Sequence, residues 1–65
     1  MRITARQKEL LQLMIEGFTL HEAAKLMCIS PKTATNSLIP VRKSLNVPTT
    51  QQAIMLLLRA GKLKL

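Results

Sequence analysis

Seven polar or N-capping residues crowd into one short stretch: Ser30, Pro31, Lys32, Thr33, Thr35, Asn36 and Ser37. Ser30 is a preferred N-cap, because its hydroxyl can accept from an amide that the first helical turn leaves orphaned. Pro31 suits the first helical position, where its fixed φ is already helical and its missing N–H costs nothing. A helix start with free amides, a positive dipole end and a lysine can hold a phosphate, while an asparagine can pair bidentately with adenine. Read alone, the stretch also fits an ordinary surface helix, since Ser-Pro caps are common.

The elements that must position these groups are helices. Thr4 and Gln7 form a capping-box pattern and Gly17 a left-handed stop, which predicts a first helix over 5–16. Leu10, Leu13 and Met14 share its apolar face with Arg6 and Gln7 one turn back, and Leu11 lies at the edge. Thr19 and Glu22 repeat the box and open a helix over 20–27, with Leu20, Ala23, Ala24 and Met27 inward. Only Cys28 and Ile29 separate it from Ser30, so the second and third helices form a helix-turn-helix. The third, over 31–45, buries Ala34, Leu38, Val41 and Leu45 and leaves Lys32, Thr35, Asn36, Ile39, Arg42 and Lys43 outside. Pro40 lies within it and lacks an N–H for the Asn36 carbonyl, so a kink near Ile39 is expected. Asn46 reads as another left-handed stop, Val47-Pro48 as a connector, and Thr49 or Thr50 as the cap of a fourth helix over 51–60 ending at Gly61. Ala53, Ile54, Leu57 and Leu58 face the core, whereas Met55 and Leu56 point elsewhere and imply a partner surface or incidental apolar exposure. The expected fold is all-α, one compact four-helix helix-turn-helix domain spanning 1–65.

Size and charge exclude much. Sixty-five residues barely build one core and leave no room for an enclosed active site beside it. One His, one Cys and no Asp offer few catalytic groups, so no enzyme, cofactor, metal site or small-molecule ligand is expected. His21 reads as a surface helical residue, and Cys28 as a small buried one in a reducing cytoplasm. The net charge is +7, and Glu9, Glu16 and Glu22 are the only acids. Lys25, Lys32, Arg42, Lys43, Arg59, Lys62 and Lys64 therefore have no counter-charge after residue 22, which favours a polyanion. The longest apolar run, Ala53 to Leu58, falls far short of the ~20 residues that span a bilayer. Arg2, Arg6, Lys8 and Glu9 interrupt the place where a signal peptide would carry its apolar region.

In order along the chain stand Thr4 with Arg6, Glu9, Leu10 and Leu11; Gly17-Phe18-Thr19 with Glu22-Ala23-Ala24; Ile29-Ser30-Pro31-Lys32-Thr33-Ala34; Leu45-Asn46-Val47; and Gln52-Ala53-Ile54. This order resembles the LuxR/FixJ (GerE-like) DNA-binding domain from Ile3 to about Leu65. The corresponding family patterns are Leu-Thr-x-Arg-Glu-x-Glu-Val-Leu, Gly-x-Ser/Thr-x-x-Glu-Ile-Ala, Ile-Ser-x-x-Thr-Val, Leu-Gly-Val and Glu-Ala-Val. Several departures matter: Thr35 and Ser44 stand for lysines, Ser37 for a histidine and Ala34 for valine, and Pro40 lies inside the recognition helix.

The resemblance implies a bacterial or phage regulator of transcription that binds double-stranded DNA in the cytoplasm, at the nucleoid. Base readout would fall on Thr35, Asn36 and Ile39, and backbone contacts on Ser30, Lys32, Thr33, Ser37, Arg42 and Lys43. It further implies a homodimer through helix four, with Met55, Leu56 and Arg59 at the interface, on inverted half-sites about one helical turn apart. Without an arginine to pair with guanine, the reading set favours A·T-containing half-sites. Activation would need a surface for RNA polymerase, whereas repression needs only occlusion. The initial Met1 suits a standalone regulator, and a piece of a longer one is the other possibility. The rival reading is a protein-interaction module such as an antitoxin, sigma-like adaptor or inhibitor, which Pro40 and the missing lysine at position 35 favour. A basic amphipathic membrane-surface peptide ranks third.

Overall fold

The structure is a computed structural model that describes residues 3–64. Met1, Arg2 and Leu65 lie outside the described residues, and with them the role of Arg2 near the chain start and the last position of the resemblance. Four helices follow in order: α1 Ala5–Ile15, α2 Leu20–Leu26, α3 Pro31–Leu45 and α4 Thr50–Arg59. Among the described residues there is no strand.

Each helix begins on a hydroxyl cap. Thr4 Oγ1 accepts from the Gln7 amide at 3.1 Å while the Thr4 amide donates to Gln7 Oε1 at 3.0 Å. The Thr19–Glu22 pair repeats this at 3.1 and 2.8 Å. Ser30 and Thr49 accept from the amides of Thr33 and Gln52. Each cap satisfies one orphaned donor, worth about 1 kcal/mol.

The four ends share one device as well. A left-handed residue follows each helix: Gly17 (φ 110°), Cys28 (φ 60°), Asn46 (φ 57°) and Gly61 (φ 75°). In each case its amide and the next one reach back to two carbonyls of the closing turns, as with Cys28 N–H to Lys25 O at 3.1 Å and Ile29 N–H to Ala24 O at 3.0 Å. Cys28 is therefore a helix stop, and it is exposed. The expectation of a buried cysteine is corrected: the left-handed backbone turns its side chain to solvent, and Ile29 supplies the apolar plug against the core.

The core comprises Leu10, Leu11, Ala23, Ala24, Ala34, Leu38, Val41, Ala53, Leu57 and Leu63. Leu11, expected at an edge, is fully buried, and Leu13 and Met14 are only partly so. Leu63 was not foreseen, because it lies beyond the Gly61 stop and returns to the core from a segment without helical periodicity. The third helix contacts all three others, and the buried alanines permit close approach. It runs as one helix through Pro40, which is solvent-exposed. The proline ring thus faces the side where its clash with the preceding turn is most easily relieved.

Candidate nucleic-acid interface

Burial of Ala34, Leu38 and Val41 fixes the roll of α3 and turns the opposite stripe outward. Lys32, Thr35, Asn36, Ile39 and Lys43 are all exposed there, at helical spacing, with Ile39 38% accessible. A neutral set of hydroxyl, amide and branched alkyl is thus flanked along the axis by two cations. Ser30 and Thr33, also exposed, sit at the positive end of the helix, with Ser30 Oγ donating to Thr33 Oγ1 at 2.8 Å.

Two hydroxyls have their protons committed within the helix. Thr35 Oγ1 donates to the Pro31 carbonyl at 3.0 Å, which leaves its lone pairs and methyl for a ligand. Ser37 Oγ donates to the Thr33 carbonyl at 2.9 Å, and Ser37 is half-buried, the least accessible of the expected contact residues on the first half of α3.

Arg42 departs from its expected place outside. It is partly buried, and its Nε is covered without a hydrogen-bond partner among the described residues. It lines an open hollow with Ile39, Lys43, Asn46, Val47 and Pro48. An orphaned, covered donor costs on the order of 1–3 kcal/mol.

The fourth helix buries Ala53 and Leu57 and leaves Met55 (55% accessible), Leu56 (38%) and Arg59 exposed. Met55 and Leu56 share a shallow hollow with Asn46, Val47, Pro48 and Arg59, the first three of which also line the hollow beside Arg42. Sequence reasoning missed Gln7, whose Nε2 donates to the Ser37 carbonyl at 2.9 Å. Its position on the same α1 face as Leu10 and Met14 was the available signal. Among the described residues no cluster of His, Cys, Asp or Glu could hold a metal, and no helix is long and apolar enough to cross a membrane.

A short capped α2, a tight turn at Cys28-Ile29 and an α3 with one buried and one polar, basic stripe define a helix-turn-helix DNA-binding domain. Residues 1–57 match the sequence profile described as bacterial regulatory proteins, luxR family, and the chain belongs to that family. It is 35% identical over 63 residues to the spore germination protein GerE of Bacillus subtilis (strain 168), covering 97% of this chain and 85% of that protein. A solved structure of the transcription factor GerE superposes with a TM-score of 0.87 at 33% identity, covering 94% of this chain and 91% of that one.

Proposed function

We propose that this chain is a transcription regulator that reads specific A·T-containing duplex sites as a homodimer. The carrying observation is the exposed stripe of α3, where Thr35, Asn36 and Ile39 stand between Lys32 and Lys43. In the major groove Asn36 pairs with an adenine edge, and Ile39 and the Thr35 methyl pack on thymine methyls. Lys32, Lys43 and Arg42, with the Ser30 and Thr33 end of the helix, hold phosphates and fix the register. Met55, Leu56 and Arg59 meet their counterparts across a two-fold axis, which places two recognition helices on inverted half-sites. The +7 charge adds a sequence-independent pull toward the duplex.

Selection of binding sites from random duplexes, followed by sizing of the complex, tests the whole reading. The expected outcome is an enriched inverted repeat bound by two copies. Recovery of random sequences only, with a protein partner captured instead, would place the chain among interaction modules that use this fold without base readout.

A further inference from the structure

The Gln7 side chain uses both ends of its amide. Oε1 accepts from the Thr4 amide at 3.0 Å and closes the cap of α1, while Nε2 crosses to α3 and donates to the Ser37 carbonyl at 2.9 Å. Gln7 is partly buried, so this bond is shielded on one side from competing water. Its target is well placed. Pro40 offers no N–H to the Asn36 carbonyl, so the turn from Asn36 to Pro40 is one internal bond short. Ser37 is the next residue, and its hydroxyl already ties it back to Thr33. The Gln7 bond thus grips the weakened turn from the core side, directly behind the residues Asn36 and Ile39 that the exposed stripe presents.

We propose that Gln7 is a positioning residue for DNA recognition: its Nε2 tether to Ser37 offsets the bond lost at Pro40 and fixes the orientation in which Asn36 and Ile39 are displayed. The inference rests on the α3 readout proposed above. It makes a residue of α1, outside the helix-turn-helix, a determinant of sequence discrimination. Substitution by glutamate separates its two roles, because a carboxylate still accepts from the Thr4 amide but cannot donate to a carbonyl.

The test uses the full chain as Gln7→Glu, Pro40→Ala and the double variant, with affinities measured for a duplex enriched by the wild type and for a scrambled duplex of equal length. The ratio of the two affinities is the readout, since an added negative charge weakens both duplexes alike. The expected result is a ratio lowered about fivefold to tenfold in Gln7→Glu, the scale of one hydrogen bond. Pro40→Ala should restore it, because residue 40 then donates to the Asn36 carbonyl. In the DNA-free protein, amide exchange at Ile39 and Val41 should quicken in Gln7→Glu and slow again in the double variant. An unchanged ratio, an absence of rescue, or unchanged exchange overturns the role of Gln7 and leaves the α3 readout standing. Failure of the wild type to enrich any sequence overturns the readout itself, and the positioning role with it.

Discussion

The side-chain amide of Gln12 brackets the backbone of Lys64: its Nε2 donates to the Lys64 carbonyl, and its Oε1 accepts from the Lys64 amide at 3.3 Å. A side chain in the middle of α1 thereby holds the segment after α4 against the first helix, with the adjacent Leu63 buried in the core at 3% exposure. Leu63→Ala should cost about 2–3 kcal/mol of stability, near the lower end for a buried leucine because residue 63 sits on a non-helical segment after α4 that can partly collapse. Gln12→Ala should cost about 1 kcal/mol, and less in the Leu63→Ala background, where the segment is already loosened. Urea unfolding measures both; equal midpoints for wild type and Leu63→Ala would show that residue 63 contributes nothing to the core.

At Cys28 the conformational cost sits in the helix-turn-helix turn itself. A non-glycine residue held at φ 60° is strained by about 1 kcal/mol or more, partly recovered by glycine, whose unfolded chain has more entropy to lose. Cys28→Gly is expected to raise the thermal midpoint by a few degrees. The same exposed thiol should react with an aromatic disulfide in native buffer as fast as in denaturant, and strong protection without denaturant would contradict its exposure.

Arg42 makes folding and binding pull in opposite directions. Arg42→Met removes the covered, unpartnered Nε while keeping an unbranched apolar stem, so stability should hold or rise by up to about 1 kcal/mol. Affinity should fall for every duplex alike, with a salt dependence shallower by about one phosphate contact. A loss confined to one sequence would instead make Arg42 a base reader.

Asn36 and Lys32 should separate along the axis of α3. Asn36→Ala is expected to relax preference at one base pair by about 1–3 kcal/mol, and Lys32→Ala to weaken all sequences and flatten the salt slope. Competition titrations over single-base variants of the enriched site distinguish the two, and the same profile for both variants would remove Asn36 from the reading set.

Met55→Glu, at a position 55% exposed in the single chain, should leave the unfolding free energy within about 0.5 kcal/mol of wild type. It should nevertheless abolish the two-copy complex on DNA, because the charge would be desolvated against its own copy. A retained two-copy complex moves the dimer contact away from this face.

Most of the helical frame could be read locally. Thr4, Thr19 and Ser30 announce helix starts with partners three residues away, and Gly17, Asn46 and Gly61 announce the stops. Cys28 escaped because cysteine carries no left-handed preference, and only the apolar Ile29 after it hints at the shared helix-end motif. The exposed α3 stripe followed from the periodicity of Ala34, Leu38 and Val41. By contrast, the contacts from Gln7 to Ser37 and from Gln12 to Lys64 join residues 30 and 52 positions apart. Neither they nor the covered Nε of Arg42 can be inferred without knowing how the helices cross.

Ala23, Ala24, Ala34 and Ala53 make up four of the ten core residues among the described residues. Each has only a methyl to lose, so trimming one opens little void, whereas an added methylene must push apart the helices that cross there. Tolerance to change in this core is accordingly one-sided. Drift toward larger residues is blocked at those crossings, and sequence variation is channelled to exposed positions such as Thr35, Asn36 and Ile39, where a change leaves the packing undisturbed and, under the proposed readout, would retune the preferred duplex.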